Sequence, residues 1–191
     1  MSTSAKERTF TITFLAAMLA LAVIFGFFKI PVTSFLEIRF LFLPISIAGA
    51  VTGPIGGLAV GAASDLVSYL IKPTGAFFPG FTISYALTGL IAGLICFKKH
   101  SLPRIIISQT IITIFINMLM NTYWLSILYG MPFMAIVGPR LIKEAVSLPI
   151  NIFLFWIALR EVDRLVKYSG LMPSYYGTKN SSGNAGKSDP D

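Results

Sequence analysis

Residues 42–84 read FLPISIAGAVTGPIGGLAVGAASDLVSYLIKPTGAFFPGFTIS, and only Asp65 and Lys72 carry charge in that stretch. Glycine and proline break it at Gly53–Pro54 and again across Lys72–Gly80, where the backbone is expected to turn. The intervening pieces are apolar enough for a protein core or for lipid, and the rest of the chain decides between them. Of its 191 residues 55% are hydrophobic and 12% charged, against about a quarter charged in soluble domains. Uncharged runs cover residues 9–28, 40–64, 73–97 and 105–139. The last exceeds one bilayer crossing of about 20 residues and must contain a turn. The sequence is that of an integral membrane protein.

The breakers divide it into six expected spans, roughly 9–29, 37–52, 54–71, 79–97, 104–129, and a sixth from between Phe133 and Arg140 to about Lys167. The first is expected to be retained, because "ALA" at 20–22 lies inside the apolar run, whereas a signal-peptide cleavage site ends it. The net charge of +7 could point to nucleic acid, but its placement does not. Lys6 and Arg8, then Lys98, Lys99 and Arg104, then Arg160, Arg164 and Lys167 occupy alternate junctions. Under the positive-inside rule these face the cytoplasm together with both termini. The outer loops then fall near 30–36, 72–79 and 129–138. An all-helical membrane domain is expected over 1–168. Residues 169–191, dominated by Gly, Ser, Asn and Pro, read as a disordered cytoplasmic tail.

Polar residues inside such spans are expensive unless paired or facing a cavity, and so mark function. Asp65, Ser68 and Lys72 recur at helical spacing on the third span. Asn117, Asn121 and Trp124 share a face of the fifth, and Arg140, Glu144, Ser147 and Asn151 share one on the sixth, with Lys143 beside them. Arg140 with Glu144 as a closing ion pair, or the asparagines as interhelical glue, are the bland readings. Yet all three stripes lie toward the outer end, where Lys29, Arg39, Lys72, Arg140 and Lys143 also gather. A cavity open outward accounts for that bias. Its cations suit carboxylates or phosphates, and its amides suit heterocycle edges. Trp124, Phe77, Phe78, Phe81, Tyr69 and Tyr85 suit a flat ring. An aromatic heterocycle bearing carboxylates fits this inventory.

Enzyme chemistry finds little support. The lone His100 sits in a basic junction away from every stripe, and Cys96 is the single cysteine. No Ser–His or Cys–His pairing, zinc set or phosphate-binding loop can be assembled, so no cofactor is expected. A small carrier driven by protons through Asp65 or Glu144 stays open, as does a purely structural membrane subunit.

The stretch quoted above resembles the substrate-binding S components of energy-coupling factor (ECF) transporters, the bacterial vitamin importers. The FPGFT core (Phe78–Thr82), NTYWLSILYG (121–130) and RLIKEAVSLPIN (140–151) are most similar to the folate-specific branch. The resemblance spans roughly residues 10–165. It implies a six-helix protein of the bacterial plasma membrane that captures folate outside and carries it inward, and that performs no chemistry itself. The implied partner is an energising module of a transmembrane scaffold and two ATPases. Ala16 and Ala20 match the family's A-x-x-x-A docking pattern, small residues that let helix backbones approach in lipid. The loop at 72–84 is expected to gate the site with Phe77, Phe81 and Thr82, while Gly75 and Gly80 permit turns or hinge movement. Arg39, Arg140 and Lys143 are expected to draw the glutamate carboxylates, Asn117, Asn121 and Trp124 to handle the rings, and Asp65 or Glu144 to accept from pterin N–H groups. S components for thiamine or riboflavin are the nearest alternatives, weakened by the basic cluster.

Overall fold

A computed structural model describes residues 3–33, 36–73 and 77–168, with side chains described outside 3–6, 29–33, 36–39 and 167–168. The expected tail at 169–191 lies outside the described residues. The architecture is helical, with α1 (Thr3–Phe27), α2 (Phe42–Thr52), α3 (Pro54–Ile71), α4 (Pro79–Cys96), α5 (Leu102–Ile111), α6 (Asn121–Tyr129) and α7 (Phe133–Tyr168). A π-helical stretch, Ile112–Met120, joins α5 to α6, so that one rod runs over Leu102–Tyr129. Among the described residues five helices are long and apolar enough to cross a bilayer.

α2 is the exception. The expected second span began at residue 37, but Leu36–Arg39 (β2) pairs antiparallel with Lys29–Thr33 (β1), Lys29 opposite Arg39 and Ile30 opposite Ile38. Pro31 has no N–H to give a helix, and a hairpin satisfies the neighbouring backbone groups locally. The remaining 11 residues of α2 rise only about 16 Å, half a hydrocarbon core. Every residue from Pro44 to Val51 is buried, so α2 is the apolar centre around which the longer helices pack.

The packing is made by glycine. A methyl group at Gly57 on α3 would overlap the Gly89 carbonyl of α4, and one at Gly61 would overlap the Tyr85 carbonyl. At Gly49 on α2 it would lie 2.9 Å from the Gly93 nitrogen, and at Gly93 only 2.6 Å from the Pro54 Cα. α2, α3 and α4 thus meet backbone to backbone. Lipid tails are as apolar as leucine, so this van der Waals contact, rather than water exclusion, holds the helices together. Gly57 with Gly61 serves packing within the bundle, as their spacing predicts. Between α2 and α3 Gly53 adopts φ 96°, a conformation that suits glycine alone, and Pro54 opens the next helix.

His100 closes the far end of the bundle. Its Nδ1 meets the Asp163 carboxylate of α7 at 2.9 Å, and its Nε2 meets the Ala50 carbonyl of α2 at 3.1 Å. Leu15 of α1 packs on Gly56 at the start of α3, near this end.

Candidate functional site

The polar stripes converge at the opposite end, where α4 begins and α7 is still near its start. Burial sets the stakes: Arg140, Glu144 and Ser147 are all less than a tenth exposed. Arg140 donates from Nη2 to the Asn117 carbonyl at 2.8 Å. Asn117 donates from Nδ2 toward Glu144 at 3.5 Å, and Asn121 donates to Asn117 Oδ1 at 3.3 Å. Lys143 pairs with Glu144 at 3.0 Å. A lone carboxylate or guanidinium here would be costly, and the network divides each charge among neighbours.

The fifth-span residues owe their register to the π-helical stretch. The Asn121 N–H bonds the Ile116 carbonyl five residues back, so the turn is wider than in an α-helix. Such insertions concentrate at functional sites. Here the stretch presents both a side chain and a main-chain carbonyl of Asn117 to α7.

Among the described residues, three buried atoms of this cluster have no hydrogen-bond partner: Asn121 Oδ1, Trp124 Nε1 and Arg140 Nε. Each such atom costs about 1–3 kcal/mol unless something arrives to meet it. Two are donors and one is an acceptor, which describes the complement of a polar ring edge.

Aromatic rings form the wall beside them. Phe78 lies 5.5 Å from Trp124 and 5.8 Å from Phe81. Gly80 makes this arrangement possible, since a Cβ there would stand 2.7 Å from the Trp124 ring and 2.5 Å from Phe78. The glycine expected to act as a hinge is a packing surface for the indole. Phe77 instead packs on Tyr69 at 5.1 Å, so the aromatic residues divide into two groups. Phe78, rather than its neighbour Phe77, is the one that reaches Trp124; two adjacent phenylalanines before a proline carry no cue to which turns inward. Thr82 donates to Asp65 at 2.6 Å, tying α4 to α3 at this same end. Arg39 closes β2, and its side chain is outside those described. Ala16 and Ala20 lie exposed on α1. Among the described residues no three His, Cys, Asp or Glu side chains gather as a metal set.

The sequence pattern of the family "ECF transporter, substrate-specific component" matches residues 10–159. The chain belongs to this family. This S component is 38% identical over 153 residues to the "Folate transporter FolT" of Clostridium novyi (strain NT), covering 80% of this chain and 89% of that one. It is 29% identical over 134 residues to the protein of the same name from Leuconostoc mesenteroides, covering 66% and 72% of the two chains. Its structure is similar to that of FolT bound with folic acid, with a TM-score of 0.73 and 33% identity over 78% of this chain and 92% of the other. The S component for biotin from an ECF-type ABC transporter shares the fold, with a TM-score of 0.65 and 24% identity over 87% and 95% of the chains. These relatives are transport proteins, and the chain is a transport subunit rather than an enzyme.

Proposed function

We propose that this S component captures folate at the outer face of a bacterial plasma membrane and delivers it inward with an ECF energising module. The observation that carries the reading is the trio of unpartnered buried atoms, Asn121 Oδ1, Trp124 Nε1 and Arg140 Nε, set beside an aromatic wall. The folate-named relatives and the likeness to the folic acid complex support the substrate.

In this reading the pterin edge, which offers both donors and acceptors, meets Asn117, Asn121 and Glu144, while Trp124, Phe78 and Phe81 flank the rings. Arg140 and Lys143, with Arg39 at the hairpin, give the site its positive balance for the glutamate carboxylates. Glu144 offsets part of that charge before ligand arrives. Asp65 with Thr82 fixes the start of α4, and Phe77 on Tyr69 forms the outer rim of the mouth. The site end faces outward and the His100 end, where the basic residues gather, faces the cytoplasm. Ala16 and Ala20, exposed on α1, dock on the scaffold subunit.

Calorimetric titration of the purified chain without partners, against folate, 5-formyltetrahydrofolate, pteroate, thiamine and riboflavin, tests the proposal. One-to-one binding confined to the pterin compounds is expected. Pteroate should bind more weakly than folate, by about tenfold for each charge-assisted hydrogen bond that its missing glutamate would have made. Tight binding of thiamine or riboflavin instead would keep the fold and change the substrate. Absence of binding by a folded protein would favour the proton-coupled carrier or the purely structural subunit.

A further inference from the structure

The end of the molecule remote from the ligand site carries a second organised surface. The loop after α4 places Lys98 and Lys99 exposed, and the His100–Asp163 pairing at 2.9 Å fastens that loop to the last turns of α7. There Arg160 and Arg164, four residues apart, occupy one helix face and are exposed. Arg104 donates to the Ile95 carbonyl at 3.2 Å, which holds its guanidinium beside the end of α4. Two of these cations lie over rings: Lys98 is 5.3 Å from the centre of Phe97, and Arg160 is 4.6 Å from that of Trp156. Lys98 adopts φ 64°, a left-handed conformation uncommon outside glycine, so its position is dictated by the loop's anchorage. The acidic residues that accompany the patch are Glu161, which pairs with Arg164 at 3.2 Å, and Asp163, which faces His100. The cations exceed them.

We infer that Lys98, Lys99, Arg104, Arg160 and Arg164 form a binding surface for the headgroups of anionic phospholipids. Three physical features point to lipid rather than to a soluble anion. The patch borders helices whose outer faces are apolar, with Leu94, Ile157 and Leu165 exposed beside it. Its aromatic rings lie under the cations, the arrangement by which arginine and lysine reach the headgroup level while their stems stay in hydrocarbon. And the cations are distributed over the loop, the start of α5 and α7, so one headgroup can be held by the loop and α7 together. Surface potentials of this kind attract acidic leaflets and fade within a Debye length as salt rises. The surface is separate from the vitamin site and stands whichever vitamin that site takes.

The test uses the full chain, with Trp124→Phe so that Trp156 is the single tryptophan, reconstituted in nanodiscs of phosphatidylcholine containing a minority of either brominated phosphatidylglycerol or brominated phosphatidylcholine. Stronger quenching of Trp156 by the brominated anionic lipid, lost in the K98Q/K99Q/R160Q/R164Q chain and reduced in 0.5 M salt, is the expected result. Native mass spectrometry of the unsubstituted chain gives a second readout, with retained phosphatidylglycerol falling by roughly tenfold or more in the quadruple variant. His100→Ala should lower it by a smaller factor, by releasing the loop. Equal quenching by the two lipids, or retention unchanged in the quadruple variant, would overturn the inference. Displacement of the lipid by millimolar inorganic phosphate would show a general anion site in its place.

Discussion

Two halves of this bundle are held together by different physics. In α2, α3 and α4 the backbones touch through Gly49, Gly57, Gly61, Gly89 and Gly93, and side chains have no room to intervene. From α5 to α7 the packing runs through side chains, several of them polar, and among the described residues Asn121, Trp124 and Arg140 are among those whose buried atoms have no hydrogen-bond partner. The first half has a single way to pack. The second is incomplete until something fills it. Its helical rod is also irregular, changing from α to π geometry over Ile112–Met120. A rigid wall opposite an unsatisfied one is what a capture protein needs, because the ordering cost of binding is confined to one side.

The contrast can be broken most forcefully in the rigid half. Gly57→Leu would drive a side chain into the Gly89 backbone, which cannot yield as a side chain can. A loss of at least about 3 kcal/mol is expected, beyond the usual range for overpacking against side chains. Thermal unfolding in detergent should show it as failure to fold or a large fall in Tm. On the polar side Glu144→Gln keeps the shape and removes the charge facing Asn117 and Lys143. Folate affinity should fall by about 10- to 100-fold, the loss of one or two charge-assisted hydrogen bonds, while Tm changes far less than for Gly57→Leu. A Tm fall equal to that of the glycine variant would mean that the polar network is scaffold.

Gly80→Ala probes the seam between the halves. The atoms nearest the new methyl belong to the Trp124 and Phe78 side chains, at 2.5–2.8 Å, which can shift. Folate binding should weaken by about tenfold as the ring wall moves, with little change in Tm. The smallest effect is expected at Gly138, inside α7, where an added Cβ meets nothing within 4 Å beyond its chain neighbours. The helix-propensity gain of Gly138→Ala is opposed by crowding of the new Cβ against the ring of Pro139, so Tm should change little, and calorimetry should find folate affinity unchanged.

Much of this division is legible in one dimension. Long uncharged runs locate the membrane helices because few soluble chains tolerate them. The i, i+4, i+7 spacing of Arg140, Glu144 and Ser147 puts them on one face, and all three are buried there. His100 stands apart from the stripes as its position in a basic junction implies. Other features carry no such trace. Glu37, Ile38 and Arg39 read equally as the mouth of a helix or as a strand, and the choice depends on pairing with Lys29–Thr33. A nine-residue π-helical stretch leaves no periodic mark in ITIFINMLM, which is apolar almost throughout. Glycines at 49 and 93 show that something approaches closely, but which backbone meets which is settled by packing. The unmet atoms on Asn121, Trp124 and Arg140 are likewise a property of three dimensions.

The most direct test follows Trp124 itself. In the purified Trp156→Phe chain Trp124 is the single tryptophan, and its emission reports on the proposed ring site alone. Folate should quench it saturably with one-to-one stoichiometry, and Glu144→Gln should shift the midpoint to higher folate by about tenfold or more. Folate binding seen by calorimetry in the same folded protein, with Trp124 emission unaltered, would place the ligand elsewhere and contradict the account.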